Sequence, residues 1–250
     1  MRVGVGSANV DASKAIDVLD AEAVPCSEDS FQEKLLDGSI DAFVAWYDWV
    51  PQGLDPGISL TAVMERGPAG MVSFPCPLDE VMDHSAVGVP SELMELVVRR
   101  ERPDLNVRRM PIGDLVDDVE SYACIVLPAA MMEGYPLDPE VYIGAPSQGC
   151  VAVFARKGDG SVKALRLLDH MPSRTAAEAE RGIMNLIGAT PDAPLGVRAD
   201  VEGDAIRIRA VSYCYGADGR RCDEWVPIDY VMDEVLGIAE YLANKRDSVI

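Results

Sequence analysis

The sequence predicts three small units: two wound α/β lobes followed by an α+β unit. Three observations carry this. Short apolar runs alternate with helix-like stretches from Arg2 to Asp169, the order of a wound sheet. Pro75-Cys76-Pro77 interrupts that alternation like a hinge between two such lobes. From Met171-Pro172 onward the order changes to one helix, then successive strands, then a closing helix.

At 250 residues, 48% of them apolar and 26% charged, the chain has material for a sizeable core and more than one unit. Its 42 acidic against 22 basic residues give a net charge of -20. That speaks against nucleic acid and anionic membranes as partners, since both need a basic footprint. No apolar run approaches the roughly 18 residues of a membrane span, and Met1-Arg2-Val3-Gly4-Val5 opens a strand, not a leader. The six cysteines form no C-x-x-C pair, and His84 and His170 are the only histidines, so no metal site is expected. A reducing cytoplasm is the expected location. Cys124 and Cys150 lie in apolar runs and read as buried thiols.

In order, Arg2 to Ser7 reads as a first strand. A short helix follows from Asp11 to Leu19, which Asn9 or Asp11 can cap. Gly6-Ser7, ahead of that helix, suits an anion. Ala23 to Cys26 is a second strand. Ser30-x-x-Glu33 has the form of a capping box for a helix through Phe31, Leu35 and Leu36. Gly38 stops that helix. Ile40 to Trp46 is a buried strand that runs out through Tyr47, Asp48 and Trp49 to Val50-Pro51. Strands at Ile58 to Met64 and Met71 to Phe74 flank the breaker Glu65-Arg66-Gly67-Pro68-Ala69-Gly70.

Beyond Pro77, Val87-Gly88-Val89 is a strand and Ser91 caps a helix to Glu101. Asp104 to Met110 is a strand, Asp114 to Glu120 a short helix, and Cys124 to Leu127 a buried strand ending at Pro128. Ser161 to Asp169 reads as a helix. Thr175-x-x-Glu178 is a second capping box, opening a helix to Ile187. Strands at Gly196 to Val201 and Ala205 to Tyr213 meet at Gly203-Asp204. Gly216 to Gly219 turns into a third strand, and Tyr230 to Asn244 closes the chain as an amphipathic helix.

Several of these segments resemble porphobilinogen deaminase (hydroxymethylbilane synthase). Leu35-Leu36-x-Gly38-x-Ile40-Asp41 through Val50-Pro51 is similar to that family's L-L-x-G-x-I-D-x-x-V-H-S-x-K-D-V-P. Val87-Gly88 and Arg102-Pro103-Asp104-Leu105 follow its V-G-T-S-S-L-R-R…R-P-D-L. Ala145-Pro146-Ser147-Gln148-Gly149-Cys150 follows A-P-G-Q-G-A, and Ala179-Glu180-Arg181 follows A-E-R. The resemblance runs from Arg2 to about Arg221. It implies tetrapyrrole metabolism and two α/β lobes around an interlobe cleft, like a periplasmic binding protein, with a C-terminal α+β domain. The first lobe is then discontinuous, 1–77 plus 147–171, the second is 78–146, and the last domain is 172–250.

The family's chemical groups are replaced in this register. Its lysine falls on Asp48, its catalytic aspartate on Trp49, and its carboxylate-binding arginines on Gly6, Leu93, Met94 and Asp118. The cysteine that attaches its dipyrromethane cofactor falls on Pro191. The resemblance therefore implies no such cofactor here, and no condensation of porphobilinogen as the family performs it.

Ligands of α/β sheets sit at the C-terminal mouths of strands, and this mouth carries Trp46, Tyr47, Asp48 and Trp49. Asp48, Asp117 and Asp118 make the cleft acidic, which favours a neutral or cationic small-molecule ligand. Asp48 would be the counter-ion and the three aromatics a partial cage. Ser7, Ser91 and Gln148 complete the candidate ligand set, and Asp48 is the one candidate catalytic residue. Plainer readings stand beside these. The aromatics also suit packing at a domain junction, Asp117-Asp118 a solvated helix face, Cys150 an inert thiol, and Gly149 a tight hinge. Three functions stay open: a binder of a small ligand or partner protein in tetrapyrrole metabolism, an enzyme on a related tetrapyrrole or amine, and a bilobal sensor unrelated to porphyrins.

Overall fold

The computed structural model describes residues 1–6, 10–216 and 219–243. The strands of the lobes are β1 (Arg2–Val5), β2 (Glu22–Pro25), β3 (Ala42–Trp46), β4 (Ile58–Val63), β5 (Met71–Phe74), β6 (Ala86–Val89), β7 (Asn106–Arg109), β8 (Cys124–Pro128), β9 (Tyr135–Pro136) and β10 (Val151–Arg156). Then come β11 (Leu195–Glu202), β12 (Ala205–Ser212) and β13 (Arg220–Pro227). The helices are α1 (Ser13–Leu19), α2 (Phe31–Leu36), α3 (Glu92–Glu101), α4 (Ile112–Asp117), α5 (Met171–Ile187) and α6 (Val231–Ala243).

Two five-stranded sheets share one plan. The first runs β2-β1-β3-β10-β4 and the second β7-β6-β8-β5-β9. In each, the first three strands are mutually parallel and the fourth runs antiparallel to both its neighbours. The third sheet is the antiparallel meander β11-β12-β13, with α5 and α6 packed on it through Ile183, Met184, Ile206, Ile208, Val235 and Leu242. The architecture is thus two α/β lobes and an α+β unit. No helix among the described residues is long and apolar enough to cross a membrane.

Local sequence explains much of this. In α3, Leu93, Met94, Val97 and Val98 recur at helical spacing and are buried. The Ser91 hydroxyl accepts a 3.3 Å hydrogen bond from the Met94 N–H and so caps that helix. In the first lobe Phe31 of α2 stacks on Phe43 of β3 at 4.4 Å between centroids, with Phe154 of β10 5.5 Å away. This aromatic wedge fixes the helix over the middle of its sheet.

Several expectations are corrected. The outward crossing between lobes falls at residues 65–70, ahead of Pro75-Cys76-Pro77, because β5 already pairs with β8 in the second sheet. The return crossing lies within residues 137–150, between β9 of the second sheet and β10 of the first. The two crossings touch: Gly67 N–H donates to the Gly149 carbonyl at 2.9 Å. Gly149 has φ +78, and a Cβ there would stand 2.8 Å from the Pro68 carbonyl oxygen, so only glycine allows the approach.

Neither proposed capping box forms. Ser30 takes helical angles and its hydroxyl pairs instead with Ser27 Oγ at 2.8 Å. Thr175 lies inside α5, which starts four residues earlier at Met171 with Pro172 in its first turn. Residues 160–168 wind as 3-10 turns capped by Asp159, in place of the expected α-helix. The expected helix from Asp114 to Glu120 is two pieces, α4 and a 3-10 turn at Val119–Ser121. Asn9, a candidate cap for α1, lies outside the described residues, while the Asp11 carboxylate accepts from the Ser13 N–H at 3.0 Å.

Truncating the wedge tests its weight. Phe31→Ala, at a fully buried position, is expected to cost about 3–5 kcal/mol, read as a fall in the urea midpoint.

Candidate functional site

The mouth of β3 is built by a turn. The Tyr47 N–H donates to the Cys150 carbonyl at 2.8 Å, and the chain then winds through a 3-10 turn at Tyr47–Trp49. The strand ends at Trp46, so Tyr47, Asp48 and Trp49 follow the geometry of a turn and not the two-face alternation of a strand. Tyr47 points inward, 8% exposed, with its ring edge-on to Phe154 at 6.0 Å. Trp46, Asp48 and Trp49 stay partly exposed at the mouth.

Behind this turn stands Arg181 of α5. Its guanidinium lies 4.4 Å from the Tyr47 ring centroid and donates to the carbonyls of Tyr47 at 2.8 Å and Val50 at 3.0 Å. Burial lowers its pKa, partly offset by Tyr47 and Asp48. One residue earlier, Glu180 is fully buried and accepts three hydrogen bonds: from Arg66 Nη2 at 2.6 Å, the Ala199 N–H at 2.6 Å and the Ser147 N–H. Arg66 also donates to the Ala199 carbonyl at 3.1 Å and to Cys150 Sγ at 3.1 Å. For Arg66, burial alone would lower the pKa, but Glu180 and then Cys150 reverse it and the net shift is upward. Thus one carboxylate of the third unit holds both interlobe crossings, Arg66 on the outward one and Ser147 on the return.

Asp48 sits in the field of these groups. Solvent reaches part of it, yet protein surrounds it densely, and this desolvation pushes its carboxyl from 3.8 up to about 7. Its own backbone N–H, Arg181 and Arg66 pull it down only in part, and Glu180 opposes them. The Cys150 thiol is raised to about 11 by burial in spite of Arg66 beside it. Such a thiol stays protonated near neutral pH and is a poor nucleophile.

The other candidates scatter. Ser91 has its hydroxyl engaged in the cap of α3. Gln148 is 4% exposed and lines a cavity at the junction of the three units, away from the mouth. Asp117 and Asp118 are exposed at the end of α4, where Asp118 accepts from Ser121 Oγ at 2.6 Å. Ser7 lies outside the described residues. Pro191 lies in the turn between α5 and β11 and offers no thiol, and none of the chain's six cysteines falls in that turn. The residues present there do not fit a thioether-bound dipyrromethane.

Sequence reasoning about the site missed Arg66, Glu180 and Arg181. A signal existed: Ala176, Ala177, Ile183 and Ile187 mark the buried face of α5, and Glu180 shares it. A charge at such a position needs a buried partner.

Two α/β lobes joined by paired crossings, with an α+β unit clamped to those crossings, define a bilobal protein. Residues 9–164 match the family model described as porphobilinogen deaminase, dipyromethane cofactor binding domain. The chain belongs to the porphobilinogen deaminase family. It is 28% identical over 211 residues to a probable porphobilinogen deaminase of Methanosarcina mazei, covering 78% of this chain and 67% of that one. With the probable porphobilinogen deaminase of Thermoplasma acidophilum it shares 27% over 225 residues, 84% of this chain and 75% of that one. With the porphobilinogen deaminase of Corynebacterium aurimucosum it shares 30% over 156 residues, 58% and 52% respectively. Among solved structures, immunogenic lipoprotein A from Vibrio vulnificus aligns with a TM-score of 0.46 at 14% identity, over 72% of this chain and 99% of that one, a weak likeness.

Two expectations test the site. Glu180→Gln leaves Arg66 buried without its counter-charge and should cost about 3–5 kcal/mol in urea unfolding. Glu178→Gln, which breaks only an exposed pair with Arg174, should cost under about 1 kcal/mol. The second is a pH dependence. Folding raises the Asp48 pKa from 3.8 to about 7, so the folded chain binds one more proton than the unfolded chain across that window. The stability this gives is complete below the unfolded value and lost as pH rises through about 7. Melting temperatures of wild type and Asp48→Asn should therefore agree at low pH and diverge toward neutrality. The asparagine variant should be the more stable at higher pH.

Proposed function

We propose that this protein is a divergent member of its family, related to tetrapyrrole metabolism, that binds a small neutral or cationic ligand at the β3 mouth and does not condense porphobilinogen. The observation that supports this is the sign of the mouth. Its nearby guanidiniums, Arg66 and Arg181, spend their hydrogen bonds on Glu180, Cys150 and backbone carbonyls. The group left at the opening is the Asp48 carboxyl, in the same turn as the partly exposed Trp49 and two residues after the partly exposed strand-end Trp46. A growing chain of pyrroles brings carboxylates, which need free arginines. A cation or neutral ring suits two tryptophan faces and one carboxyl better.

The raised Asp48 carboxyl favours a second reading. A group poised near pH 7 is suited to proton transfer, so an enzyme acting on a related tetrapyrrole or amine is the alternative.

Incubation of the purified protein with porphobilinogen, followed by absorbance and intact mass, decides the first point. No consumption and no covalent addition are expected; either one would overturn the proposal. Amine metabolites are then expected to raise the melting temperature of wild type more than that of Asp48→Asn. Turnover of such an amine, lost in Asp48→Asn, would select the enzyme reading.

A further inference from the structure

The second lobe brings two cysteines together, far from the β3 mouth in the chain. Cys76 follows β5, two residues after Phe74, and Cys124 opens β8, one residue before Ile125. Phe74 and Ile125 are register partners in antiparallel strands. Such strands hold facing Cα atoms about 4.5–5.5 Å apart, inside the range a disulfide bridges, and both cysteines lie just past that pair on the same side. Each thiol donates to the other's segment. Cys124 Sγ lies 3.7 Å from the Cys76 carbonyl oxygen, and Cys76 Sγ lies 3.8 Å from the carbonyl oxygen of Ala123. Ser73 Oγ donates to the same Cys76 carbonyl at 2.9 Å and holds that segment in place. Both cysteines pack on one apolar cluster with Val87 and Val126.

The two free thiols differ in access. Cys124 is fully buried, and burial, with the neighbouring Cys76 adding to it, raises its thiol to about 11. Cys76 is half-buried, and its contact with Ala123 is exposed. A small reagent therefore meets Cys76 first, with Cys124 behind it. This is the arrangement of an attacking thiol and a resolving thiol. The buried sulfurs of Cys26 and Cys150 contact Ser30 at 4.0 Å and Arg66 at 3.1 Å instead.

We propose that Cys76 and Cys124 form a thiol-modification site, in which Cys76 exchanges with small disulfides of the glutathione class and Cys124 resolves the adduct. The Cys76 thiolate attacks one sulfur of the reagent, forming a mixed disulfide. The departing thiolate takes up the proton that Cys76 lost. Cys124 then loses its proton and attacks the Cys76 sulfur, forming the internal disulfide and releasing the second small thiol. Two protein thiols are oxidised, and one small disulfide is reduced to two thiols. The bridge spans 48 residues of sequence and ties the end of β5 to the start of β8.

The test uses the full folded chain, reduced, freed of reductant and incubated with oxidised glutathione. Three results are expected for the wild type. The intact mass falls by two hydrogens, two of the six thiols are lost, and a peptide map links Cys76 to Cys124. Cys124→Ser should stop at the mixed disulfide and retain glutathione on Cys76. Cys76→Ser should react with glutathione about tenfold or more slowly, since the thiol first met by the reagent is gone. The wild-type map decides even where a variant fails to fold. A wild type that stays reduced, keeps a glutathione adduct without closing the bridge, or links another pair of cysteines overturns the proposal.

Discussion

The relation between the three units depends on one buried carboxylate. Glu180 accepts from Arg66 on the outward crossing, from the Ser147 backbone on the return and from Ala199 on β11. A buried ion pair is not by itself a large source of stability, because desolvating both partners costs about what their attraction returns. Its consequence here is geometric. An apolar pair of equal volume could fill the space, but it would leave the Ser147 and Ala199 N–H groups without acceptors. The crossings are also bound to each other at Gly67 and Gly149, where the approach is too close for a side chain. The lobes therefore meet at a junction whose backbone donors converge on the third unit.

That convergence shapes the mouth of β3. Arg181 follows Glu180 in α5, so once the carboxylate is seated, the guanidinium is delivered under the turn at Tyr47. The turn closes onto it and Tyr47 goes into the core, while Trp46 and Trp49 stay partly exposed. Asp48 is left where protein crowds it but no counter-ion among the described residues is hydrogen-bonded to it. Its raised pKa is the electrostatic remainder of a junction whose cations are otherwise engaged.

Much of the fold was legible because it is written locally. The apolar runs of β3 and β8, the Ser91 cap and the 3.6-residue spacing of α3 each lie within a dozen residues, where propensity and periodicity act. The outward crossing was misplaced because Pro75 and Pro77 punctuate more loudly than the breaker at residues 65–70. Which punctuation separates lobes depends on strand pairing over a long range: Met71 with Pro128 and Phe74 with Ile125. The turn at Tyr47 was misread for a related reason. Alternation holds only while a strand lasts, and this one ends on a carbonyl from Cys150, far along the chain. The Arg66–Glu180 pair spans 114 residues, so only the charge on the buried face of α5 hinted at it.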